Sequence, residues 1–141
     1  MSENKINGIQ EVVIAVKDGK QAIPFFEDIL GIKFDIGWEM PNEKMNVKAA
    51  QIGDTQLHIV ESTAVEGVIG KFIESRGQGL HHIAFRVDNL DQWVIKLKEK
   101  GVKLIPEIPI PYPKGKYIFI HPKSAFGVLI ELIEFSKVDG P

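Results

Sequence analysis

A chain of 141 residues, 44% hydrophobic and 26% charged, has the size and composition of one globular domain and is not that of a disordered segment. A formal net charge of −2 and a pI near 6.1 give no electrostatic handle for nucleic acid or an anionic membrane surface. The lack of cysteine excludes disulfides, thiolate metal sites and a cysteine nucleophile.

In chain order, IQEVVIAVK (9–17) reads as a buried strand rich in β-branched side chains. DGKQAIPFFEDILG (18–31) reads as a helix, with Ala22, Phe25, Phe26, Ile29 and Leu30 at helical spacing, Pro24 tolerated in its first turn and Gly31 as its stop. KFDIGWEM (33–40), NVKAAQI (46–52) and TQLHIVE (55–61) are three further strands, the last two joined at Gly53-Asp54. EGVIGKFIESRG (66–77) is a short amphipathic connector helix. The order then repeats. LHHIAFRVD (80–88) is a strand and LDQWVIKLKEKG (90–101) a helix capped by Asp88 or Asn89. KLIPEIPI (103–110) is a proline-interrupted edge strand, and KYIFIHP (116–122) and GVLIELIEF (127–135) complete the set. The N-terminal MSENKINGIQ is polar and no apolar run approaches the ~18 residues of a membrane span, so a cytoplasmic location without membrane attachment is the default expectation.

This duplication predicts an α+β fold of two tandem βαβββ modules, about residues 8–62 and 79–135, with a connector helix at about 65–77. One domain of residues 1–141 results, its paired halves forming a curved sheet around a cleft. Superposing the first strands lays EVVIAVKD over HIAFRVDN and puts Glu11 opposite His82. Superposing the last strands lays QLHIVES over LIELIEF and puts His58 opposite Glu131. Strand alternation turns Val12, Ile14 and Val16 toward the helices and Glu11, Val13 and Ala15 toward the cleft. In the second half Ile83, Phe85 and Val87 are core, while His82, Ala84 and Arg86 share the cleft face. His81 then falls on the core side and reads as structural. A charge among such apolar neighbours must be paired, neutralised or bound to a cation. Two imidazoles and two carboxylates at Glu11, His58, His82 and Glu131 suit Zn²⁺, Co²⁺, Ni²⁺, Mn²⁺ or Fe²⁺. The same four residues also suit a purely structural Glu–His network.

The segments IAVKD (14–18), FFEDILGIK (25–33), IGDTQLHIVES (52–62), KFIESRGQGLHHIAFRVDN (71–89), LKEKGVKLI (97–105) and HPKSAFGVLIEL (121–132) carry a resemblance. They resemble the vicinal oxygen chelate superfamily, which takes in glyoxalases, bleomycin resistance proteins and dioxygenases, and within it the methylmalonyl-CoA epimerases. The resemblance implies paired βαβββ modules around a metal cleft, a homodimer and a divalent cofactor (Co, Zn, Ni or Mn). It implies a metal-dependent epimerase of a 2-substituted malonyl-CoA thioester, working by 1,1-proton transfer through a metal-stabilised enolate. Similar chains carry histidine at the place of Glu11 and glutamine or glutamate at that of His58, so this sequence exchanges the two in a compensating way. Glu131 matches one acid/base group, and Lys48 stands where the other, a glutamate, is expected, with Glu43 in the preceding loop as a substitute. His121, Lys123 and Ser124 match a segment that grips the substrate carboxylate, and Lys114 and Lys116 are candidates for the CoA phosphates. A glyoxalase-I-like lactoylglutathione lyase and a non-catalytic small-molecule binder are the competing functions.

Overall fold

The computed structural model describes residues 5–136. Among the described residues, eight strands and three α-helices give an α+β architecture. The chain divides into two compact units, Glu11–His81, and His82–Pro141 together with Met1–Gln10.

In the first unit, β1 (Ile6–Val16) contributes its Glu11–Val16 stretch parallel to β4 (Thr55–Ser62). β3 (Met45–Ile52) runs antiparallel to β4, and β2 (Ile36–Met40) antiparallel to β3 at the edge. Asp18 caps α1 (Gly19–Pro24) by accepting from the Lys20 N–H at 3.0 Å. Pro24 closes this helix where a single helix through residue 31 was expected. Its ring crowds the carbonyl one turn back and it has no N–H, and a wider π turn follows over Phe25–Ile29. The change of pitch splits the expected apolar stripe. Ala22 and Phe26 pack with Val16, Phe34, Ala50 and Ile59, while Phe25, Ile29 and Leu30 stay exposed.

The other face of this sheet is occupied too. Helix α2 (Val68–Arg76) lays Ile69 against Val13, Ala15, Val47 and Val60. The connector therefore belongs to the first module, and it fills the part of the Glu11 face that alternation assigned to the cleft at Val13 and Ala15. Gly70, inside α2, lets the helix sit against the preceding loop: a Cβ there would lie 2.5 Å from the Ala64 carbonyl oxygen.

The second unit repeats the plan. β5 (Gly79–Val87) runs parallel to β8 (Ile130–Phe135), β8 antiparallel to β7 (Gly115–Ile120), and β7 antiparallel to the edge strand β6 (Leu104–Tyr112). A register shift between Ile105 and Ile110 interrupts β6, the strand with Pro106 and Pro109. Helix α3 (Leu90–Glu99) packs Leu90 and Val94 on Val87, Leu104, Ile118 and Leu132. Asn89 occupies the N-cap position with φ 54° and makes no side-chain cap. The cap comes from β8 instead, where Glu134 accepts from the Leu90 N–H.

Candidate functional site

Each unit carries one imidazole–carboxylate pair, and the same strand register builds both. In the first unit Val13 is the Cα partner of His58 across the parallel β1–β4 ladder, and Glu11 precedes Val13 by one alternation on the same face. The His58 Nε2 lies 3.7 Å from the Glu11 Oε1. In the second unit Ala84 is the Cα partner of Glu131 across β5–β8, and His82 precedes Ala84 by the same step. The His82 Nε2 lies 2.9 Å from the Glu131 Oε1. The equivalences Glu11–His82 and His58–Glu131, read by superposing sequence segments, are thus reproduced within each ladder.

His58, His82 and Glu131 are the buried polar side chains among the described residues, at 7%, 9% and 6% exposure. Burial of this kind favours groups with a committed partner or a cation over solvated ones. Aromatic edges fix both rings: Trp38 stands 5.3 Å from His58 and Phe119 5.4 Å from His82, each near-perpendicular. A row of amides orients His58 further. Gln51 donates to the Gly53 carbonyl at 2.9 Å, Gln56 donates to the Gln51 Oε1 at 3.1 Å, and the Gln56 Oε1 faces the His58 Nε2 at 2.9 Å. The Gln56 oxygen can only accept, so Nε2 is the donor in this contact, and a metal ion at the same nitrogen would take the place of that proton. Imidazole nitrogen and carboxylate oxygen without thiolate fit a borderline divalent ion with room for oxygen ligands.

Lys48 requires a correction. Its register partners are Ile59 in β4 and Gly37 in β2, which puts it on the α1 face of the sheet, opposite to His58 and Glu11. It lies across Gly37, where a Cβ would come within 3.2 Å of its Cδ, and lines a pocket of about 570 Å³ with Lys20, Phe34, Glu39 and Glu61. The His58 face of β3 carries Val47 and Ala49 at this level, so β3 brings no acid or base to the pair. Glu43 sits in the β2–β3 turn, its N–H bonded to the Met40 carbonyl. Lys116 is also turned away: it is the partner of Glu134 on the α3 face and pairs with Asp91 at 2.8 Å. Lys114 is exposed in the β6–β7 hairpin.

His121, Lys123 and Ser124 lie together in the 3₁₀ turn that follows β7. The His121 Nδ1 accepts from the Lys123 N–H at 3.0 Å, and the Ser124 Oγ accepts from the Lys103 N–H at 2.9 Å. The His121 ring is held below its ordinary pKa by partial desolvation and by the charges of Lys103 and Lys123. His81 packs edge-on against Phe72 of α2 at 4.8 Å.

Sequence reasoning did not single out Trp38, Gln56 or Phe119. Each alternates with apolar residues in an ordinary strand, and only cross-strand register tells which face it shares.

Residues 8–132 match the Glyoxalase/Bleomycin resistance protein/Dioxygenase superfamily. The chain is 36% identical over 130 residues to an uncharacterised Bacillus subtilis protein, YqjC, covering 92% of this chain and 93% of that one. It is 32% identical over 126 residues to human mitochondrial methylmalonyl-CoA epimerase, covering 88% of this chain and 72% of that protein. The crystal structure of methylmalonyl-CoA epimerase from Mycobacterium tuberculosis superposes with a TM-score of 0.84 at 30% identity, covering 100% of this chain and 97% of that one. With the fold, the doubled register and these likenesses in agreement, the chain belongs to the glyoxalase/bleomycin resistance protein/dioxygenase superfamily, among relatives that are methylmalonyl-CoA epimerases.

Proposed function

We propose that this protein is a metal-dependent epimerase of 2-substituted malonyl-CoA thioesters, with Glu11, His58, His82 and Glu131 as the ligands of one divalent ion. The observation that carries this reading is the pair of imidazole–carboxylate couples, with His58, His82 and Glu131 buried and Glu11 partly so, repeated at one register position in each unit. The activity of the relatives supports the substrate class. The bound ion supplies Lewis-acid stabilisation of the negative charge that develops on the thioester oxygen.

The protein's own side chains move the protons. One carboxylate removes the α-proton and leaves its electron pair delocalised onto the thioester carbonyl as an enolate. A carboxylic acid on the opposite side of the carbon then returns a proton, and the centre is inverted. Glu131 takes one of these roles. Lys48 is on the wrong sheet face for the other, and Glu11 is the carboxylate on the His58 face of the first unit. Glu11, as a ligand of the ion beside Glu131, does not reach the far side of the carbon, so the second role belongs to a group outside the four ligands. His121, Lys123 and Ser124 hold the substrate's free carboxylate, with Lys123 as the cation. The active form is a cytoplasmic homodimer.

Deuterium incorporation from D2O into the α-position of methylmalonyl-CoA tests the reading. Wild type loaded with Co²⁺ is expected to exchange and epimerise. Glu131→Gln is expected to lose epimerisation by about 10²- to 10⁴-fold, the size of one acid/base contribution, and Glu11→Gln to weaken Co²⁺ loading. Glu131→Gln retains wash-in from one epimer only. Turnover of the methylglyoxal–glutathione adduct without exchange of the malonyl thioester would replace this reading with the lyase. Failure to bind divalent metal in elemental analysis would replace it with a non-catalytic binder.

A further inference from the structure

An aromatic row runs along the second unit's sheet and ends on the His82–Glu131 pair. Phe119 is the register partner of Glu131, and Tyr117 that of Ile133, so both share the face of His82 and Glu131. Ring centroids step from Tyr112 to Tyr117 at 5.7 Å, from Tyr117 to Phe119 at 5.9 Å, and from Phe119 to His82 at 5.4 Å. All three contacts are edge-to-face, which locks each ring against the next. The residues between them on β7 point the other way, Ile118 being wholly buried under α3. Tyr112, Tyr117 and Phe119 themselves are only half-buried, so part of each ring is available to a ligand.

In the first unit Trp38 of β2 stands beside His58, but no aromatic row runs along β3. At the register position of Phe119 it carries Ala49, the partner of His58, and at that of Tyr117 it carries Val47, the partner of Val60. A duplicated framework that sets one ring beside the first pair and a row of three beside the second is shaped for an asymmetric ligand. At the foot of that wall stand His82 and Glu131, and at the level of Tyr117 the same face carries Ile133 and, one strand further, Arg86, which donates to the Gln10 side chain.

We infer that Tyr117, backed by Tyr112, is the specificity-determining residue for the 2-substituent of the malonyl thioester: Phe119 packs beside the reacting carbon, and Tyr117 sets the length of alkyl chain that fits. This rests on the epimerase reading above and adds the substituent length to it. A wall of this kind discriminates by contact and exclusion, and a single methylene in an apolar pocket is worth about tenfold or more.

The experiment compares methylmalonyl-, ethylmalonyl- and butylmalonyl-CoA in the D2O exchange assay with Co²⁺-loaded wild type, Tyr117→Phe and Tyr117→Val. Wild type is expected to prefer the short substituents. Tyr117→Phe keeps that order, and Tyr117→Val raises the butyl-to-methyl ratio of kcat/KM by about tenfold. An unchanged ratio in Tyr117→Val, folded by its thermal transition, overturns the inference. If wild type exchanges no malonyl thioester, the epimerase reading fails and the wall is tested by calorimetric binding of free methyl-, ethyl- and butylmalonate to the Co²⁺-loaded protein. There a chain-length preference that shifts in Tyr117→Val upholds the wall, and one that does not shift, or is absent from wild type, removes it.

Discussion

His82 and Glu131 meet at 2.9 Å with about a tenth of each side chain exposed, and such a contact is costly to break from one side. Glu131→Ala removes the carboxylate from beside a buried ring and is expected to lower unfolding free energy by about 3 kcal/mol, read from urea denaturation of the metal-free protein. The same substitution is expected to abolish Co²⁺ binding in calorimetry, and the two readouts separate a structural role from a ligating one. At His121 the neutral ring accepts the Lys123 N–H, and its folded pKa lies below the ordinary value of 6.5. As pH falls through about 6.5 the unfolded chain takes up this proton before the folded one, so stability declines toward acid. His121→Asn keeps an acceptor for the turn and has no proton to gain. Its melting temperature is expected to fall less than that of wild type between pH 7.5 and 5.5.

At the scale of elements, α2 and the strand pairs do different work. The helix closes the Glu11 face of the first sheet at Val13 and Ala15, and its approach depends on Gly70. Gly70→Ala would drive a methyl group against the backbone oxygens of Ala64 and Val65, both within 2.6 Å of the added Cβ. The ordinary helix gain from alanine is about 1 kcal/mol and is outweighed by overpacking of about 1–3 kcal/mol, so thermal unfolding should show a lower melting temperature. The strands were read from composition to within a few residues, because β-branched runs ended by glycine or proline leave little choice. The first helix was not. A proline at position 24 looked compatible with a first turn, and its effect on pitch, with Phe25, Ile29 and Leu30 left outside, depends on how the following turn packs.

On the scale of the whole molecule, the distribution of ligands matters most: each unit brings one imidazole and one carboxylate. A divalent ion bound as proposed would stabilise the folded chain by mass action, about 2.7 kcal/mol at a hundred times its Kd. Chelation is therefore expected to lower the melting temperature by several degrees, with recovery on adding Co²⁺ or Zn²⁺. His58→Ala and His82→Ala should each blunt that recovery. An effect of His82→Ala alone would reduce the ligand set to the second unit.

The amino-acid sequence by itself determined the duplicated strand–helix order, the four polar positions Glu11, His58, His82 and Glu131, and their pairwise equivalence. Period-two alternation and a repeated segment order suffice for that, since both are properties of the chain alone. It could not assign Lys48, because a one-residue choice of register flips a side chain through the sheet, and only the Ile59 and Gly37 pairings decide the face. The connector helix filling one end of the Glu11 face, the amide row behind His58 and the aromatic row beside His82 were likewise decided by tertiary structure. Their residues meet across strands, where position along the chain carries no information about distance.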